Sequence, residues 1–263
     1  MRPVRALAAA PAVARASAVA AALATAGAAF AFDESADGER TREAVPEEKV
    51  AWKLTTTYYS TTNEKGAGDV NLRGVYGPHT GWVGYYEQPG EFRQARVGYE
   101  YTVHLPVAQV AVGAQYASQG FFGGGAVAAI GGDVYGLIGV SRTNEKPYFN
   151  LNFDPNDAWT FGVGARLAHH ASFVAYQVRG AWVASGQQVT HAVYRTKPTP
   201  DTRVGIDVFY KSGPLEGDDG GTVRAAGASV ALDYRKWFAR LTWDPKVNFT
   251  PNDMVRVAVG VRF

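Results

Sequence analysis

The residues able to do chemistry in this chain are arginines, lysines and carboxylates spaced two apart between apolar neighbours. Arg96 and Glu100 interleave with Val97, Tyr99 and Tyr101, and Arg256 and Arg262 interleave with Val255, Val257, Val259 and Val261. In an extended strand successive side chains point to opposite faces, so this spacing collects charge on one face and apolar groups on the other. By the same phase Lys53, Arg73, Arg166, Arg179, Arg203, Asp207, Arg240 and Asp244 join the charged face. Basic groups dominate it. Such a face would either concentrate anions or pair its charges across neighbouring strands. Arg240 with Asp244, and Arg203 with Asp207, are the pairs the sequence suggests.

Other chemistries have little to work with. Cysteine is absent, which removes thiolate nucleophiles, Cys-ligated metals and disulfides. The five histidines are scattered, with no His-x-x-x-His pair and no Asp-rich calcium loop, so neither a metal nor a cofactor is expected. Gly123, Gly124 and Gly125 lack the lysine and the strand–helix context of a phosphate loop. The basic residues are spread along strands, which gives no support for nucleic-acid binding.

The elements that must position the charges are short strands. Gly 30, Tyr 14 and Trp 6, without a helical apolar stripe, favour an all-β chain with many turns. A self-comparison sets the pitch. Residues 152–167 read NFDPNDAWTFGVGARL and residues 248–263 read NFTPNDMVRVAVGVRF, offset by 96 positions. Pro followed by Asn-Asp suits a turn, and each copy then runs as a strand to an Arg and a bulky apolar residue. Equivalent copies point the same way, so an even number of strands separates them. Six strands give about 16 residues each, close to a tilted membrane-crossing strand plus its connection. Residues 49–263 then hold 14 strands, with 12 as the alternative. The glycine-rich segment 118–142 reads as one long kinked strand, and residues 149–153 as a short strand before the first Pro-Asn-Asp turn. Residues 212–221 read as the longest and most charged loop.

The N-terminal part reads differently. Arg2, Arg5 and Arg15 precede an Ala/Val/Leu run ending in Ala29-Phe30-Ala31, the pattern of a removable secretory signal over residues 1–31. Without those three arginines the formal charge falls from +2 to −1. Residues 32–48 hold seven acids against Arg40 and Arg42, which reads as a disordered acidic leader, with a lumen plug as the alternative. The remaining segment, 49–263, then carries +4.

The last twelve residues combine these features. A strand buried in a soluble core would not place Arg256 and Arg262 on its inner face and end on Phe263. A strand with lipid outside and water inside would do both. This stretch resembles the closing strand of bacterial outer-membrane β-barrels, of the porin-like small-channel type, in which a terminal aromatic follows alternating apolar residues. The aromatics Trp52, Tyr58, Trp82, Tyr116, Trp159, Trp182, Tyr234, Trp237 and Trp243 fall near strand ends or on outward faces, as in the girdles of such barrels. A soluble β-sandwich would not place them so often.

The resemblance implies a single antiparallel transmembrane barrel in the bacterial outer membrane, reached through the periplasm. It implies Phe263 as an assembly signal read by the barrel-assembly machinery, and outer-membrane lipid as a partner. The twelve charged positions would then line a pore, and their positive bias leads to an expectation of passive diffusion or uptake of small hydrophilic solutes, with anions favoured. A barrel without transport, structural or acting through its loops, is the alternative. His170-Ala171-Ser172 is similar to the His-x-Ser of one outer-membrane lipid hydrolase family. Phe173 follows where that family has a polar residue, and the spacing puts the motif at a periplasmic turn, so no enzyme is expected.

Overall fold

The computed structural model describes residues 49–150, 153–168, 170–216 and 220–263; the expected signal segment 1–31 and acidic leader 32–48 lie outside them. Fourteen strands make one closed sheet. They are β1 (Ala51–Thr61), β2 (Ala67–Tyr76), β3 (His79–Gln88), β4 (Phe92–Leu105), β5 (Ala108–Ala117), β6 (Phe121–Gly131) and β7 (Val134–Thr143). The second half holds β8 (Ala158–Leu167), β9 (Ala171–Gly180), β10 (Gln188–Thr199), β11 (Thr202–Pro214), β12 (Thr222–Tyr234), β13 (Trp237–Asp244) and β14 (Met254–Arg262).

Each strand pairs antiparallel with its sequence neighbours, and β1 closes the ring on β14 with Lys53 opposite Arg262 and Thr61 opposite Met254. Phe263 extends this seam by exchanging backbone hydrogen bonds with Trp52 at 2.8 and 3.0 Å. Closure leaves no unpaired strand edge. The outward row of β14 (Val255, Val257 and Val259) is exposed, as are Leu54 and Tyr58 beside it on β1. Those apolar groups have no second protein layer to cover them, which is the surface that lipid covers in a membrane barrel.

The two ends of the barrel differ. At one end the strands are joined by connections of two or three residues, such as 77–78, 106–107 and 235–236, and this end also holds Ala51 and Phe263. The other end carries the longer connections, including 144–157, 181–187, 215–221 and 245–253. These are the turn end and the loop end below.

The strand count agrees with the sequence pitch, and β8 and β14 stand six strands apart as the repeat requires. The route to that count differs in two places. Segment 118–142 is two strands, because the chain reverses at Gly131-Gly132-Asp133. Gly131 has φ +134°, and a Cβ there would lie 2.4 Å from the Val134 carbonyl oxygen, so a side chain would block this reversal. Residues 149 and 153, expected in a strand, belong instead to the 144–157 connection, which is longer than the 215–221 loop. The two errors cancel in the count.

Candidate functional site

The repeat copies mark where the loops turn inward. In the 144–157 loop Phe153 adopts φ 62°, and in the 245–253 loop Phe249 adopts φ 60°. Both residues are buried inside the barrel near the loop end. The Pro-Asn-Asp that follows each Phe returns the chain to the wall. Asp157 accepts the Thr143 amide at 3.0 Å, and Asp253 accepts the Lys246 amide at 3.1 Å. That backbone bond, helped by the Lys246 ammonium 3.3 Å away, holds the Asp253 carboxyl below the usual carboxylate range. Two equivalent loops, six strands apart, therefore tuck an aromatic ring into the lumen.

The wall holds the longer loop by buried polar groups. The Gln94 Nε2 donates to the Pro147 carbonyl at 2.8 Å and to the Ser118 carbonyl at 3.3 Å, while its Oε1 accepts the Phe149 amide at 2.9 Å. Arg96 donates to the Phe149 carbonyl at 2.9 Å and forms a buried ion pair with Asp69. The Tyr148 hydroxyl donates to Gln115 at 2.9 Å. Above these anchors Phe149 stacks on Tyr86 at 3.5 Å between ring centroids, with Tyr59 and Phe153 packed edge-on around Phe149. The loop-end half of the lumen is filled by aromatic packing at this point. The β11–β12 connection joins the arrangement, since the Glu216 amide donates to the Phe249 carbonyl at 2.9 Å. Burial pushes the Glu216 carboxyl from 4.5 up to about 7.

His191 on β10 ties loop to wall a second time. Its Nε2 lies 3.0 Å from the Asp154 carboxylate and its Nδ1 3.0 Å from that of Asp207, and its ring stacks on Tyr176 at 4.7 Å. The imidazolium form donates to both carboxylates at once. Beside it Lys211 and Asp244 make a second buried ion pair. Below these groups lies a cavity of about 120 Å³ bounded by β9 to β14 and by Phe153 and Asp154 of the loop.

Toward the turn end the interior becomes basic. Lys53, Arg73, Arg166, Arg203, Arg240 and Arg262 all occupy inward-phase positions there, joined by Arg195, with Glu100 and Asp233 as the inward acids. Arg262 and Asp233 pair at 3.0 Å, Arg166 donates to the Gly132 carbonyl at 2.6 Å, and Arg73 lies 5.9 Å from the Trp82 ring centroid.

Of the charged positions read from the sequence, Lys53, Arg73, Arg96, Glu100, Arg166, Arg203, Asp207, Arg240, Asp244, Arg256 and Arg262 occupy the inward phase. Arg179 does not. It stands on the outward face of β9, opposite Trp159 in the ladder, near the loop end. The period-two phase of Val174, Tyr176 and Val178 predicts a lipid-facing row on this strand, yet they are buried inside against Leu137 and Val193. Apolarity marks the outer face only where the lumen is wet, and here the inner wall is dry. The displaced outward residue Gln177 is satisfied by a 3.0 Å hydrogen bond to Thr190. Trp82, expected near a girdle, also turns inward, over Arg73. The ion pairs run across strands, not along them: Asp244 meets Lys211, and Asp207 meets His191. Residues four apart on one strand are separated by about 13 Å, too far for the Arg240–Asp244 and Arg203–Asp207 pairs.

Sequence reasoning passed over His191, Asp154, Asp69 and Arg195. The phase of β10, with Val189, His191, Val193 and Arg195 on one side, carried a signal for two of them. Asp154 is the variable position of NFxPND, where the second copy has Thr250, so the repeat carried no signal for it.

No family model matches the chain, and no curated protein matches it in sequence. Solved structures do. The outer membrane protein Omp33 of Acinetobacter baumannii is 12% identical, with a TM-score of 0.52 over 81% of this chain and 97% of that one. OprD of Pseudomonas aeruginosa is 9% identical, with a TM-score of 0.43 over 81% and 94%. The fold is that of a porin-like outer-membrane barrel. At these identities the likeness concerns fold alone.

Proposed function

We propose that this chain is an outer-membrane channel for small hydrophilic solutes, with anions favoured. The observation that carries the reading is the basic interior at the turn end, where Lys53, Arg73, Arg195, Arg203, Arg240 and Arg262 outnumber Glu100 and Asp233. In a low-dielectric wall such a lining raises the local concentration of anions. Short turns face the periplasm in bacterial barrels, so the basic vestibule would open there and the tucked loops would form the constriction on the outer side. Outer-membrane lipid would cover the valine and aromatic belt. Phe263, paired into the seam with Trp52, would be the signal for barrel assembly. The reading is not enzymatic: His170 stands in the β8–β9 turn, at the end away from the outer leaflet.

The packing of Phe149 on Tyr86 favours one alternative, a barrel that is closed at rest and transports nothing. Proteoliposome swelling separates the two. Refolded protein in lipid vesicles should admit small sugars, and small carboxylates of equal size faster. Vesicles that swell no faster than empty ones would refute the channel.

A further inference from the structure

The loop end carries charge on the face that meets lipid. Arg142 near the end of β7 and Arg179 near the end of β9 both take the outward phase, on either side of β8. Arg179 stands opposite Trp159 of β8 and forms no ion pair among the described residues. Arg142 places its Nε 3.6 Å from Asp157, beyond hydrogen-bond range, and its two Nη nitrogens have no hydrogen bond among the described residues. The Asp157 carboxylate already accepts the Thr143 amide at 3.0 Å and the Thr143 hydroxyl at 2.6 Å. Both guanidinium groups thus keep donors to spare. A cation on the outer face is costly at the middle of the bilayer and tolerated near its edge, so position alone would permit idle charges. The aromatic rings between them give the charges a setting.

Trp182 follows β9 in the 181–187 connection with φ 52°, a backbone angle that a bulky residue seldom adopts. Its exposed ring lies 4.0 Å from the Arg142 guanidinium and 6.3 Å from the Trp159 ring, 29° from parallel. Phe161 continues the column at 6.4 Å from Trp159, and Val163 follows on the same outward face, also exposed. Strain of the Trp182 kind persists where the surroundings fix it, and it gathers at binding sites. β7 and β9 are two strand spacings apart, about 10 Å, with Trp159 between them. The two arginines are therefore spaced for two anionic groups on one molecule better than for one. Guanidinium forks match phosphate oxygens, and the C–H face of a sugar ring suits the negative face of an indole. We infer that the Arg142–Trp182–Trp159–Arg179 cluster binds a phosphorylated glycolipid of the outer leaflet. One phosphate meets each arginine, the sugar lies against the two indoles, and the acyl chains run along Phe161 and Val163. The inference rests on the orientation proposed above, in which the loop end faces outward. Phosphatidylglycerol, with one phosphate and no sugar ring, would leave half of the cluster unused.

Native mass spectrometry of the full refolded chain in detergent reads bound lipid directly. Bisphosphorylated lipid A should bind at least about tenfold more tightly than its dephosphorylated form and than phosphatidylglycerol. Arg179→Gln should lower lipid A affinity by about tenfold, and Arg142→Gln by a similar factor. Trp182→Gly relaxes the backbone there and removes the indole, so it should leave the barrel folded and narrow the preference for lipid A over phosphatidylglycerol. Lys236→Gln removes an exposed cation at the turn end and should leave lipid A binding as it was. Lipid A affinity unchanged in a folded Arg179→Gln chain, equal binding of lipid A and phosphatidylglycerol, or an equal loss with Lys236→Gln overturns the site. Arg179-dependent lipid A binding by a chain that conducts nothing upholds the site while refuting the channel. Anion conduction with lipid A bound no more tightly than phosphatidylglycerol does the reverse.

Discussion

Gln94→Leu should loosen the constriction while sparing the barrel. The substitution keeps the side-chain volume and removes three hydrogen bonds, to the Pro147 and Ser118 carbonyls and from the Phe149 amide. Two of these reach the tucked 144–157 loop. A net hydrogen bond contributes about 1 kcal/mol, so the tucked arrangement loses about 2 kcal/mol. At 1.4 kcal/mol per factor of ten, its ratio to the released arrangement falls about 30-fold. The loop is not set free, because Arg96 still donates to the Phe149 carbonyl at 2.9 Å and Tyr148 still reaches Gln115 at 2.9 Å. Single-channel recording reads the change as a higher-conductance level visited about 30-fold more often relative to the resting level. Current traces identical to the wild type, from a variant whose unheated electrophoretic mobility shows a folded barrel, would refute the idea that this loop sets the constriction.

Other expectations follow from the same structure. Lys211→Met leaves the buried Asp244 carboxylate without its cation and should cost about 3–5 kcal/mol in urea unfolding from lipid vesicles, a loss that Lys211→Met with Asp244→Leu should largely restore. Val257→Arg puts a charge on the lipid face near the middle of β14 and should cost about 2–4 kcal/mol, whereas Ser229→Arg, on the lumen face of β12, should cost much less; equal costs would contradict the assigned phase. The Glu216 carboxyl is raised in the fold, so its contribution to loop packing is complete below pH 4.5 and fades as pH rises through about 7. Hydrogen exchange at the Glu216 amide should therefore show a loss of protection over that window beyond the base-catalysed rise, and Glu216→Gln should remove it.

The parts of the fold that were legible in the sequence are those in which one face meets lipid and the other meets water. On β5 and β14 the apolar phase is unbroken, and on β1 and β4 it is interrupted only at Thr56, Ser60 and Arg93, so both the face and the strand follow from it. The reading failed where the lumen is dry. Val174, Tyr176 and Val178 carry as strong an apolar phase as any outer face, but they pack on Leu137 and Val193 inside, and Arg179 went to the wrong side with them. Strand existence failed at glycine: Gly131-Gly132-Asp133 suits a hairpin turn, but with residues 149–153 read as a strand a turn there would make the strand count odd. The NFxPND repeat was a correct observation with an incomplete meaning. It gave the six-strand spacing, while the inward tuck of Phe153 and Phe249 depends on positive φ at phenylalanine, which sequence pattern does not announce. His191 was invisible as a link because one of its partners, Asp154, lies 37 residues away on a loop.

The most direct test of a basic, water-filled interior is the reversal potential of the refolded chain in a planar bilayer under a potassium chloride gradient. The expected value lies toward the chloride equilibrium potential, moves toward zero in the Arg195→Gln, Arg240→Gln double variant, and stays in place for Arg179→Gln, whose side chain faces outward. A potential on the potassium side, or a shift with Arg179→Gln as large as with the double variant, would contradict the lining described above.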